Sequence, residues 1–132
     1  MALIEDIQTA IGELSVTFPG SSITVEESGD GSAWVRLEPV PTGKAFTPST
    51  TWLLFQIPYN YPDADIYPHF VTPNLKRADG ALLGEGLHQP VGAGPGGAIQ
   101  ATQVSRRTNQ LDAGTHTAAG KALKVLQWLE ER

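Results

Sequence analysis

Apolar and polar positions along the 132-residue chain change period several times, and each change predicts an element. Leu3, Ile4, Ile7, Ile11 and Leu14 recur at three- and four-residue steps, which places them on one face of a helix that Pro19-Gly20 must stop. The period then becomes two. Ile23 and Val25 alternate with Thr24 and Glu26, and Val35 and Leu37 alternate with Arg36 and Glu38. The turn residues Gly29-Asp30-Gly31 separate these two strands. Residues 39–48 read as a loop bending at Pro41-Thr42-Gly43, and residues 52–57, apolar almost throughout, read as a central strand. Three such runs parted by turn signals predict an antiparallel meander.

From there the pattern breaks. Pro58, Pro62, Pro68 and Pro73 stand among Tyr59, Tyr61, Tyr67 and Phe70, which forbids a helix and predicts a rigid irregular crossing with one short edge strand at 67–71. Residues 78–97 read as a long loop, with disorder expected in its glycine-rich end, 92–97. Helical periodicity returns at 118–131, where Leu123, Val125, Leu126 and Leu129 form an apolar stripe behind a capping Thr115 or Thr117. The expected fold is a single α+β domain over 1–132: an N-terminal helix, a four-stranded antiparallel meander, a proline-rich irregular segment and a C-terminal helix.

Composition narrows the chemistry. With no cysteine, disulfides, thiolate metal sites and thiol nucleophiles are excluded. A net charge of −5 with nine Lys plus Arg leaves no general surplus of cations for a nucleic-acid backbone, although a local basic patch can hide in that total. No basic leader precedes the first apolar run, which Glu5 and Asp6 interrupt, and no run reaches the length of a membrane span. A cytoplasmic location without membrane attachment is therefore expected.

Few residues invite a catalytic reading. His69, His88 and His116 are the only imidazoles, and their spacing is not that of a metal site; three partly exposed histidines are expected, with a histidine-based metal-binding protein as an alternative. Ser105, Asp112 and His116 lack a nucleophile elbow. Gly92, Gly94, Gly96 and Gly97 lack the lysine and helix opening of a phosphate loop. Arg106-Arg107 is the one adjacent pair of arginines, suited to a carboxylate or a phosphate.

The run Ile57-Pro58-Tyr59-Asn60-Tyr61-Pro62, followed by Pro68-His69-Phe70-Val71-Thr72-Pro73-Asn74 and Asp79-Gly80, resembles the ubiquitin-conjugating enzyme superfamily, in particular its divergent prokaryotic members. Ser105-Arg106-Arg107 and Trp128-Leu129 fit that likeness. The resemblance implies a UBC-like fold. It also makes Asn74 the remnant of the His-Pro-Asn motif, with Thr72 in place of its histidine, and it puts Ala81, Leu82 and Leu83 where the catalytic cysteine falls. None of these side chains forms a thioester. The implied protein is a non-catalytic domain, without a cofactor, that binds a ubiquitin-like protein or an activating enzyme, with Arg106 and Arg107 as possible partner contacts. The alternative is an enzyme of the same pathway that uses His88 together with Asn74.

Overall fold

A computed structural model describes residues 4–132. Helix α1 spans Glu5–Thr17, and Ile7, Ala10 and Leu14 bury its apolar face; Leu3 lies outside the described residues. Strand β1 (Ser22–Glu27) pairs antiparallel with β2 (Ala33–Pro41), and Asp30 closes the turn between them by accepting from the Ser32 amide and hydroxyl. After a short β3 (Phe46–Thr47), β4 (Thr50–Ile57) returns along β2. Residues 58–68 are irregular, with a turn at 59–62, and β5 (His69–Val71) then pairs with β4. A two-residue β6 (Lys76–Arg77) pairs with β3 in a separate small ribbon. Helix α2 spans Ala118–Glu130, with the Thr117 hydroxyl accepting from the Gly120 amide as its cap. The molecule is α+β, with an N-terminal and a C-terminal helix and an antiparallel sheet.

The main sheet has six strands, not four, in the order β1-β2-β4-β5-β8-β7. The two extra strands come from the segment expected to be a loop. Leu87–Ala93 forms β7, Pro95–Gly97 a short 3-10 turn and Ile99–Val104 forms β8. The glycine-rich tract 92–97 is thus an ordered connection between two strands. Its composition hid this, because β7 carries Pro90 and glycine in place of β-branched residues. Pro90 lies at a register shift in the ladder, and its missing N–H suits β7 to the sheet edge. Tyr67–Val71, expected at an edge, contributes the interior strand β5, because β8 covers its free side.

Ladder registers place side chains in rows across the sheet. One row reads Val25, Val35, Phe55, His69, Val104, Leu87 and faces the helices. With Ile7, Leu14, Val125 and Leu129 from α1 and α2 it builds the principal core. The adjacent row reads Thr24, Arg36, Leu54, Phe70, Gln103, His88 and faces the other way. Leu54, Phe70, Ala93 and Ala101 form a second, smaller cluster on that face, joined by half-buried Trp34, Trp52, Val91 and Ile99, and no helix residue contributes to it. In α2, Lys121 is buried while Leu123, expected in the apolar stripe, is exposed.

Candidate functional site

The segment that resembles the conjugating-enzyme active-site region is built between β5 and β7. The Thr72 carbonyl accepts from the Thr102 hydroxyl at 2.9 Å, and the Thr72 amide donates to the Thr51 hydroxyl at 2.9 Å. The Gln89 amide nitrogen donates to Thr102 Oγ1 (2.7 Å) and to the Pro73 and Leu75 carbonyls (each 3.2 Å). These bonds satisfy carbonyls that the turn leaves without a ladder partner. Asn74 is exposed at the tip of this turn, its amide donating to Thr72 Oγ1 at 3.2 Å.

Further on, Arg77 holds the loop containing positions 81–83. Its guanidinium donates to the Leu82 carbonyl at 3.1 Å and the Leu83 carbonyl at 3.2 Å, and it lies 5.1 Å over the Phe46 ring. Ala81 and Leu82 are exposed, Leu82 by 91%, and Leu83 is half-buried. A cleft of about 240 Å³ runs beside them, lined by Leu75, Arg77, Gly80 and Gln89 among others. Positions 81–83 therefore present aliphatic side chains on a braced loop, and no nucleophile stands there.

His88 belongs to the outward row with Gln103 and Phe70, at the far edge of the sheet. Its neighbour Gln89 reaches the turn that carries Asn74. The structure thus gives Gln89, not His88, the contact with that turn. Among the described residues the His88 imidazole has no hydrogen-bond or ion-pair partner. The three histidines do not converge: His69 lies in the inward row, His88 in the outward row, and His116 precedes α2 with its ring 5.6 Å from that of Tyr61. Among the described residues no group of three or more His, Cys, Asp or Glu is placed to hold a metal ion. His69 is fully buried, contrary to the expectation of exposure, because its register puts it in the inward row that faces the helices. Both its nitrogens lack a partner, and burial pushes its pKa down to about 3, with the Lys121 charge adding to the effect and Asp65 opposing it.

Arg106 and Arg107 follow β8 on a loop that packs against α2. Among the described residues neither makes an ion pair; Arg106 lies 5.0 Å over Trp128 and Arg107 3.9 Å over Tyr67. This loop is tied to the proline-rich segment by a buried cluster that the sequence did not reveal. Lys121 Nζ lies 3.2 Å from both Asp65 carboxylate oxygens and donates to Thr108 Oγ1 at 2.9 Å. The Thr108 amide and hydroxyl donate to Asp65 at 2.7 and 3.0 Å. Burial alone raises the Asp65 carboxyl, but the Thr108 bonds and the Lys121 charge outweigh it and hold the group below its usual range. Burial also lowers the Lys121 ammonium, and here Asp65 restores only part of the loss. The two directions fit one pair: the carboxylate has three donors, whereas the ammonium has one countercharge and has lost its water. A charged lysine inside an apolar stripe was the single available signal, since Lys121 stands one turn before Val125.

The third feature is the outward face of the sheet. Trp34 lies 6.2 Å from Phe70 between ring centroids, and Arg36 lies 4.9 Å over Trp52. The half-exposed Trp34 and Trp52 rings, packed on buried Phe70 and Leu54 beside a stacked guanidinium, have the composition of protein-contact surfaces. Among the described residues no helix is long and apolar enough to cross a membrane. No family model, curated protein or solved structure matches this chain.

Proposed function

We propose that this chain is a non-catalytic, cytoplasmic docking domain of UBC-like layout, and that it binds a ubiquitin-like protein or its activating enzyme across the outward face of the sheet. Support for the layout comes from β1, β2, β4 and β5, which follow one another in chain order as an antiparallel meander with both helices packed on one side. Support for the absence of thioester chemistry comes from the chain's lack of cysteine and from the aliphatic side chains at Ala81, Leu82 and Leu83. The observation that carries the docking role is the aromatic cluster Trp34, Trp52 and Phe70 on the sheet face that no helix residue joins. Large rings held by neighbouring strands bind at low entropic cost, because little side-chain freedom remains to be lost.

The test is an NMR titration of the labelled chain with a ubiquitin-like protein encoded beside it, repeated with the neighbouring activating enzyme. The indole signals of Trp34 and Trp52 are expected to shift, and Trp52→Glu is expected to weaken binding by about tenfold or more. If neither partner moves any resonance at high micromolar concentration, the proposal fails.

A further inference from the structure

The corner where the loop after β8 meets α2 gathers positive charge out of proportion to the rest of the molecule. Four of the nine basic residues of this acidic chain, Arg106, Arg107, Lys121 and Lys124, line one open cleft of about 630 Å³. A fifth, Arg132, lies 4.5 Å over the ring of Trp128, which forms part of the cleft wall. Glu131 is the one acidic residue in the lining. Of the five cations only Lys121 has a carboxylate partner among the described residues.

Such crowding of like charges is unfavourable by itself. Burial lowers the Lys121 ammonium, Asp65 partly restores it, and the charges of Lys124 and Arg106 depress it again. The arginines are nevertheless held in place. Arg106 lies over Trp128 and Arg107 over Tyr67, and among the described residues neither guanidinium has a hydrogen-bond or ion-pair partner. Trp128 is itself backed by Gly86, where even a Cβ would come within 3.0 Å of the ring. Thr108, Asn109 and Gln110 add neutral hydrogen-bonding groups to the same wall. Two guanidinium groups stacked on aromatic rings, the Lys124 ammonium without a countercharge and a lining with one acidic residue together suit an oxyanion that carries two charges and offers several acceptor oxygens.

We infer that this cleft is a phosphate-binding site, formed by Arg106, Arg107 and Lys124 against Trp128. The site is separate from the outward sheet face and does not depend on the docking role. The phosphate can be free, part of a nucleotide, or carried by a protein side chain; all three present the same dianion.

The test is a titration of the labelled full chain with inorganic phosphate at ionic strength matched with chloride, followed by NMR. Saturable shifts confined to the backbone of residues 106–110 and the Trp128 indole are expected. The double variant Arg106→Gln/Arg107→Gln should weaken binding by about tenfold or more. Lys124→Gln, at an exposed helix position without a partner, should weaken it by about threefold while leaving the fold unchanged. Parallel titrations with ATP and with a phosphoserine peptide identify the source: the tighter of the two names it, and if both match inorganic phosphate the ligand is the free ion. The inference is overturned if shifts fail to saturate, if they persist in both the double variant and Lys124→Gln, or if acetate at the same ionic strength binds as tightly as phosphate.

Discussion

Acidification should act on this fold first through His69. In the native protein its imidazole lies in the inward row between Phe55 and Val104, 5.0 Å from the Phe55 ring between centroids, with neither nitrogen partnered. Burial pushes its pKa down to about 3, reinforced by Lys121 and opposed by Asp65. In the unfolded chain the same group titrates near about 6.5. Between those two values the unfolded state binds a proton that the folded state refuses. Stability is therefore greatest above the unfolded value, falls as the pH drops below it, and levels off only near the folded value. The slope of one proton is about 1.4 kcal/mol per pH unit, so about 2.7 kcal/mol is lost by about pH 4.5. Asp65 and Asp30, both held below their usual range, add little in that window, because an unfolded aspartate takes up its proton mainly below about pH 4 and their own contribution is lost only there.

The assay is urea unfolding followed by tryptophan fluorescence at several values between about pH 7.5 and 4.5, on the wild type and on His69→Leu. Leucine is close to histidine in volume and removes two buried polar atoms without partners. The variant should be more stable near neutral pH by about 1–2 kcal/mol. The difference should widen to about 4 kcal/mol by about pH 4.5, because the variant lacks the His69 proton. His116 also titrates below its usual value, chiefly through burial, but contributes equally to both proteins and cancels in the difference. Parallel stability curves for the two proteins, or a variant less stable than wild type near neutral pH, would refute a neutral, unpartnered His69 in the core.

Asp65→Asn should destabilise the fold by about 2–4 kcal/mol in thermal or denaturant unfolding, since it leaves Lys121 charged and only 4% exposed without its carboxylate; adding Lys121→Met should recover much of the loss in a double-mutant cycle. Gly43→Ala should cost about 2–3 kcal/mol by the same assay: φ is +93° there, and a Cβ would come within 2.9 Å of the Glu130 Cα at the end of α2. Tyr61→Phe should cost about 1–2 kcal/mol, because the Tyr61 hydroxyl accepts from the buried Ala118 amide at the start of α2, a donor that then lacks a partner. Trp52→Glu should change urea stability by less than about 1 kcal/mol, since the side chain is half-exposed on the outward face, while weakening partner binding.

Local pattern carried the parts of the fold whose residues satisfy their own periodicity. Ile7, Ile11 and Leu14 specify α1, the alternation at 23–26 and 35–38 specifies β1 and β2, and the apolar run at 52–57 specifies a covered strand. The cap at Thr117 was one of two legible candidates. The hairpin of β7 and β8 was not legible. Its strands contain Gln, His, Pro, Gly and Thr at positions where neither period dominates, and their stability comes from pairing with β5 and from burying Leu87, Thr102 and Val104 beneath the helices.

The same division holds for the candidate sites. Counting residues was enough to exclude a thiol, and two adjacent arginines were enough to single out Arg106 and Arg107. Which side of the sheet His88 occupies, which atoms Gln89 reaches and which groups surround Lys121 depend on strand register and helix docking, which join residues as far apart in the chain as Asp65 and Lys121. A sequence read locally reports the period of a segment and therefore its two faces. It does not report what each face meets, because burial is set by the long-range packing of the whole chain, and here that packing is what makes His69 a core residue and draws Arg106, Arg107 and Lys124 into one cleft.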